Sequence, residues 1–402
     1  MKIRNRVTGM IGDMARQRTV GVVEELPERG IVKIAKPVGV IAALIPTTGP
    51  DATPPVKALA ALKARNAIII APHPRTWRTS ALAVELMRKG CEQVGAPADL
   101  IQIVERPSIA KTAELMKQAD LVVATGGEAM VKAGYSSGTP AYGVGVGNSV
   151  HVVDDTADLD DAAAMIARAK TFDFATSCLA DNSVVADVSI YSSLVDKLVA
   201  RGGHVLNQAE KGRLSRLMWP QPDQHIPSLD VIAKSAQHIA QLADIQLPEG
   251  KSFLIVEEDG VGPGHPFSGE KLSVVLTLYR YTAGTIDHAI ELVNAITGYQ
   301  GLGHTCGIHT TNDAHVQALA MRTRTARVMV NQDLNEGAGS PRNGMPYTLS
   351  LSCGTWGGNI TTENVNVRHF MNLTWVSRLV DPKAVPISDE ALFATHWATH
   401  GK

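Results

Sequence analysis

The sequence predicts an α/β protein: a doubly wound parallel sheet with a second α/β lobe after it. Three observations carry this. Short apolar runs alternate with stretches of helical spacing across residues 38–124, the alternation that a parallel sheet with crossover helices requires. The runs VGVIAALI (38–45), AIIIA (67–71) and LVVA (121–124) show no polar alternation, as strands buried on both faces do. Each run ends in a turn of small or ring residues: Pro46-Thr47-Thr48-Gly49, Ala71-Pro72-His73-Pro74-Arg75 and Thr125-Gly126-Gly127.

From the N-terminus, residues 19–26 and 30–36 read as two strands around a Pro27-Glu28-Arg29-Gly30 turn, a hairpin pattern. The 38–45 run is the first buried strand. Residues 54–65 (PPVKALAALKAR) combine helical spacing with proline near the first turn and predict a helix. A strand over 67–71, a helix over 79–95, a short strand over 100–104, a helix over 109–117 and a strand over 121–124 follow. Beyond Val150 the pattern is mixed. Helices are expected at 159–171, 192–201 and 286–297, and strands at 183–190, 253–256, 274–281, 308–310 and 327–331. The stretch 335–359 is rich in Gly, Pro, Ser and Asn and predicts loops around a short strand at 348–352. After Arg368 come one more apolar stretch and a polar end. No internal repeat or low-complexity linker is visible.

Size and charge bound the function. A chain of 402 residues is too long for one hydrophobic core and suits two or three lobes. The hydrophobic fraction is 45%, the charged fraction 19% and the formal net charge −1. That balance lacks the basic footprint of a nucleic-acid binder. No apolar run reaches the roughly 18 to 20 residues that span a bilayer, and the basic, Met-rich segment 1–17 lacks the apolar stretch of a secretory signal. The expectation is a cytoplasmic protein without membrane or nucleic-acid partners. The four cysteines, Cys91, Cys178, Cys306 and Cys353, are widely spaced, which argues against a zinc site or a disulfide framework and for free thiols.

Four constellations carry chemistry. Cys178, in Thr176-Ser177-Cys178-Leu179, follows a predicted helix in a loop. A thiolate is a strong nucleophile near neutral pH; the plainer reading is a small buried hydrophobe. The strand-end turns lie where open parallel sheets bind ligands, and small residues there let backbone approach a pyrophosphate at a helix N-terminus. Gly143-Val144-Gly145-Val146-Gly147 opens no predicted helix and lacks the spacing of a dinucleotide fingerprint. Glu270, in Gly269-Glu270-Lys271-Leu272-Ser273, is placed to accept two ribose hydroxyls or is a solvated loop acid. His304, in Gly303-His304-Thr305-Cys306, is an acid/base or phosphate ligand, or a ring held by local hydrogen bonds.

The stretches KPVGVIAALIPTT (36–48), ALKARNAIIIAPHPR (61–75), ATGGEAMVKAGYSSGTPAYGVGVGNS (124–149), SCLADNSVV (177–185), GEKLS (269–273), GLGHT (301–305) and SLSCGTWGGNITTENVNVRHFMN (350–372) together resemble the aldehyde dehydrogenase superfamily, in that order, and specifically its CoA-acylating branch. That branch includes sulfoacetaldehyde, succinate-semialdehyde and propionaldehyde enzymes and the aldehyde half of aldehyde–alcohol dehydrogenases. The resemblance implies an aldehyde dehydrogenase-like fold: a Rossmann-type cofactor lobe over 1–150 with an oligomerisation hairpin at 19–36, a catalytic lobe over 151–367, and a C-terminal oligomerisation segment over 368–402. It implies that Cys178 attacks the aldehyde, that Glu270 holds the nicotinamide ribose, and that Pro46, Thr47, His73, Arg75, Gly126 and Gly127 contact NAD or NADP. Hydrolytic relatives activate water with a glutamate in the segment matching Gly143–Asn148, which has no carboxylate here. A thiol is then the better acceptor, so coenzyme A is the implied cosubstrate, with His304 as acid/base for the thiol exchange.

Two departures stand out. Relatives carry Asn, an oxyanion donor, where this chain has Gly49, and they have further helices before the region matching 2–18. The position matching an NAD-selecting acid falls near Pro74, beside His73 and Arg75, which tolerates a 2′-phosphate. An anionic aldehyde is suggested by the 359–372 stretch, with Arg342 or Arg368 as its partner. Strands of the arm need a partner edge, so a homodimer or homotetramer is expected. Competing readings are a hydrolytic enzyme giving a free acid, a reductase of acyl phosphates, and a catalytically weakened binding protein.

Overall fold

A computed structural model describes residues 2–221, 225–381 and 388–402. The expected hairpin forms from β1 (Gly21–Leu26) and β2 (Ile31–Pro37), antiparallel around Gly30, whose φ of 61° suits glycine.

The first-lobe sheet is parallel and doubly wound. Its strands are β3 (Val40–Ile45), β4 (Ala67–Pro72), β5 (Ile101–Ile103), β6 (Leu121–Thr125) and β7 (Ala141–Val144), ordered β5-β4-β3-β6-β7. The chain winds outward from β3 through β5, then returns to the other side of β3 at β6. The resulting switch point lies between β3 and β6, where a crevice opens at the strand ends. Lys57, on α2 (Thr53–Lys63), pins that junction: its buried Nζ donates to the carbonyls of Leu44 and Val123, each at 2.8 Å. Burial pushes this amine well below its usual range. The helices α3 (Trp77–Gln93), α4 (Ile109–Gln118) and α5 (Glu128–Tyr135) complete the crossovers.

A second parallel sheet runs β10-β11-β12-β9-β8-β13-β14. It is built from β8 (Ser149–Val153), β9 (Asp181–Asp187), β10 (Gly203–Val205), β11 (Phe253–Glu257), β12 (Val275–Tyr281), β13 (Gly303–His309) and β14 (Thr325–Val330). The helix Leu159–Thr171 packs Ala162, Ala163 and Ile166 into the core on one face of it. Finally β15 (Met371–Ser377) joins the free side of β2, making a three-stranded antiparallel sheet from both ends of the chain.

Several elements depart from the sequence reading. Residues 348–352 form no strand, only an isolated bridge between Leu351 and Asn364. There the Thr348 hydroxyl donates to the carbonyl of Val365 and accepts from the N–H of Ser350, local bonds that replace ladder bonds. β13 begins at Gly303 rather than 308, because His304, Thr305 and Cys306 are all buried despite their polarity. β7 and β8 were hidden by their short, glycine-flanked runs. The basic N-terminal segment is a helix, α1 (Lys2–Ala15), with Met10 and Met14 in the first-lobe core. The polar end carries a helix too, Asp389–His400, with no buried residue. No helix among the described residues is long and apolar enough to cross a membrane.

Candidate active site

Cys178 sits between the helix Leu159–Thr171 and β9, in a loop of unusual backbone. Asp173, Phe174 and Ala175 have φ of 51°, 51° and 56°, three successive left-handed residues without a glycine, an arrangement that persists only where the surroundings enforce it. The Thr176 hydroxyl donates to the Asp173 carbonyl at 3.0 Å and carboxylate at 2.7 Å. Beyond the cysteine, the buried Lys170 amine donates to the Asp181 carbonyl at 2.7 Å. The Ser149 hydroxyl donates to the Cys178 carbonyl at 3.0 Å. These bonds hold the thiol at the wall of a cleft of about 1010 Å³.

The cleft runs from the carboxyl ends of β3, β4 and β6 to the Cys178 loop. Pro46, Thr47, His73, Gly126, Gly127, Glu270 and Cys178 all line it, as does Gly49. Gly127 caps the start of α5 with nothing within 4 Å of where a Cβ would project, an open backbone at a helix N-terminus. Such an approach, with a carboxylate at the far side, fits a dinucleotide. Arg75 lies outside, exposed on its turn, with its backbone N–H donating to His73 Nδ1 at 3.2 Å. His304 also lies outside: its ring is wholly buried in β13 and both nitrogens lack a partner among the described residues. Burial and then the Arg327 charge push its pKa down to about 3, so it is a neutral ring at working pH and unsuited to acid/base exchange with a thiol. Arg342 and Arg368 are exposed, the latter paired with Glu363 at 2.7 Å, and neither reaches the cleft.

Electrostatics set the resting protonation states. Burial first, then the Glu270 and Cys353 charges, push the Cys178 thiol up to about 12, against the pull of Arg327. Burial raises Glu270 to about 8, opposed by the Gly147 backbone N–H and by Lys271 and Lys170. At neutral pH the resting site thus holds a thiol and a largely protonated carboxyl. The segment 144–147 lines the cleft without a carboxylate; among the described residues Glu128 and Glu270 are the acids that do line it. No group of three His, Cys, Asp or Glu suited to a metal ion exists among them.

Gly147 and Arg6 are among the cleft residues to which the sequence alone assigns no role. Gly147 lies against Cys178: a Cβ there would fall 2.6 Å from the cysteine Cβ. The density of glycine at 143–147 was its one visible signal. Arg6 lines the cleft from α1; nothing local marks it, since only the folded chain brings residue 6 to residue 178.

A profile of the aldehyde dehydrogenase family matches residues 5–209. The acylating sulfoacetaldehyde dehydrogenase of Bilophila wadsworthia is 42% identical over 407 residues, covering 100% of this chain and 86% of that one. An acetylating aldehyde dehydrogenase from Geobacillus thermoglucosidasius superposes with a TM-score of 0.88 at 36% identity, over 94% of this chain and 83% of the other. A Rhodopseudomonas palustris propionaldehyde dehydrogenase, solved with bound CoA and an acylated cysteine, gives a TM-score of 0.78 at 28% identity, over 87% and 77%. With the parallel cofactor-type sheet, the cysteine loop and the shared cleft, these likenesses show that the chain belongs to the aldehyde dehydrogenase family.

Proposed function

We propose that this chain is a CoA-acylating aldehyde dehydrogenase acting on a small anionic aldehyde such as sulfoacetaldehyde. The observation that carries this is a nucleophilic cysteine in a cleft whose 144–147 wall offers no carboxylate to activate water. Cys178 Sγ bonds to the aldehyde carbon as the thiol proton is released to water and the carbonyl π bond breaks, giving a thiohemiacetal oxyanion. When bound, the nicotinamide cofactor supplies hydride acceptance, which turns the thiohemiacetal into a thioester on Cys178. Coenzyme A then attacks the thioester carbon through its sulfur; the C–S bond to Cys178 breaks, the proton of the coenzyme A thiol ends on the departing Cys178 sulfur, and acyl-CoA is released. The oxyanion of each tetrahedral stage faces the Cys178 backbone N–H. Glu270 would take the nicotinamide ribose hydroxyls, and Thr47, Gly126 and Gly127 the rest of the cofactor.

The substrate class rests on the sulfoacetaldehyde relative at 42% identity. His73, with Arg75 exposed beside it and no acid at Pro74, leaves room for either NAD or NADP. The edge strand β15 exposes Leu373 and Trp375, and unpaired edges of this kind seek a partner strand; a homo-oligomer built on it is part of the reading. So are the division into a cofactor lobe (1–150), a catalytic lobe (151–367) and a C-terminal segment, and a place in the cytoplasm.

The test is nicotinamide reduction followed by absorbance with sulfoacetaldehyde, with and without coenzyme A, for wild type and Cys178→Ala. A steady rate that needs coenzyme A and disappears in the variant is expected. A steady rate without coenzyme A would show instead a hydrolytic enzyme.

A further inference from the structure

Arg6 carries the one arginine side chain that lines the cleft among the described residues. Its Nη1 donates to the Gly339 carbonyl and its Nη2 to the Asn335 carbonyl, each at 2.9 Å. A guanidinium offers five N–H donors, so three remain without a partner among the described residues. Its acidic neighbours, Asp333 and Glu336, are both bonded to Arg168, at 2.8 and 3.3 Å. The result is a half-buried cation held by two neutral carbonyls with no carboxylate in contact.

Its position is built, not incidental. Gly9 lets α1 lie flat against the Tyr347 ring, whose Cζ would be 2.5 Å from any Cβ there, and the Tyr347 backbone N–H donates to Asp13 at 3.1 Å. The turn that holds Arg6 carries Ala338, which packs in one apolar cluster with Val144, Leu179 and Leu351. Cys178 packs against that same cluster. The guanidinium is therefore fixed on a docked helix in the cleft that Cys178 also lines, close enough for the two groups to act on each other electrostatically. A planar fork presented this way matches the two oxygens of a carboxylate or sulfonate.

We propose that Arg6 is the specificity-determining residue of the aldehyde pocket, binding the sulfonate or carboxylate at the far end of a short aldehyde while its carbonyl faces Cys178. The inference rests on the acylating reading above and deepens it by naming what selects the substrate.

Wild type, Arg6→Met and Arg6→Lys are assayed with cofactor and coenzyme A on sulfoacetaldehyde, succinate semialdehyde and propionaldehyde. In Arg6→Met the ratio of kcat/KM for the anionic aldehyde over propionaldehyde falls about tenfold or more, chiefly through KM, and Arg6→Lys keeps part of it. The anion whose ratio falls further is the one the pocket fits. An unchanged ratio, with all aldehydes affected together, makes Arg6 a structural tie of α1 and overturns the proposal. Because Arg6→Met loosens that tie and can fail to fold, a second readout needs only wild type and Arg6→Lys. Ethanesulfonate should slow iodoacetamide alkylation of Cys178 in wild type and protect less in Arg6→Lys; no protection in wild type overturns the proposal. A wild-type enzyme that turns over no aldehyde with coenzyme A defeats the acylating reading alone, since the protection assay needs no turnover.

Discussion

Gly147 and Cys178 are in backbone contact: a Cβ on Gly147 would lie 2.6 Å from the cysteine Cβ and 2.8 Å from its Cα. The same glycine turns its N–H toward Glu270. One residue without a side chain thus sets the spacing between Cys178 and Glu270, and its nearest neighbours there are backbone and Cβ atoms rather than flexible side-chain ends.

Gly147→Ala must displace the Cys178 loop. Misplacing a reacting atom by about 1 Å costs on the order of a hundredfold in rate. We expect kcat to fall by about that factor while NAD(P) affinity, measured by fluorescence titration, changes little. A fully active Gly147→Ala would mean that the loop yields without harm.

With its pKa near 12, the resting Cys178 thiol gains thiolate about tenfold per pH unit below that value. Alkylation by iodoacetamide, without cofactor, should rise with that slope from pH 6 to about 8 and less steeply above it. Glu270, ionising near pH 8, opposes the thiolate above that pH, so Glu270→Gln should be alkylated faster than wild type at pH 9 and equally at pH 6. A flat profile would reveal an already ionised cysteine.

Stability should follow Glu270 as well. Its folded pKa of about 8 lies above the ordinary carboxyl value, so the folded state holds the proton more tightly. The contribution is full below the unfolded pKa and is lost as pH rises through 8. Between pH 5 and 9 the Tm of wild type should decline more steeply than that of Glu270→Gln. Parallel melting curves would contradict the raised pKa of this carboxyl.

His304, neutral down to a pKa of about 3, has no proton to exchange between pH 6 and 9. The pH profile of the coenzyme A-dependent rate should therefore keep its shape in His304→Gln, whatever happens to its height. Loss of one limb of that profile would return the ring to the chemistry.

Gly49 leaves the cleft without a side chain at the position where the family resemblance leads one to expect an amide donor. The atom a new Cβ would meet there is the Thr53 hydroxyl, at 2.6 Å, the end of a side chain that can rotate. Gly49→Asn should raise kcat, by up to about a hundredfold, the worth of one oxyanion donor. No gain would mean that another donor already fills that role.

Much of the fold was legible because buried parallel strands must be apolar throughout. The runs at 38–45, 67–71 and 121–124 became β3, β4 and β6 within a residue or two, and the turns after β3 and β6, with His73 after β4, line the cleft, as does Cys178. These are local requirements, written in consecutive residues. What the sequence left open depends on contacts between distant segments. His304 looked catalytic from its neighbours, yet β13 takes its ring into the interior. Arg342 and Arg368 looked like anion partners, yet both face solvent. Arg6 and Gly147 looked like nothing, because a guanidinium in a basic helix and a glycine among glycines acquire meaning only from what folds against them. Local pattern determined the buried strands and crossover helices of the first lobe; long-range packing decided which polar stretches become strand or loop and which side chains share a pocket, because burial and pocket geometry arise from segments hundreds of residues apart.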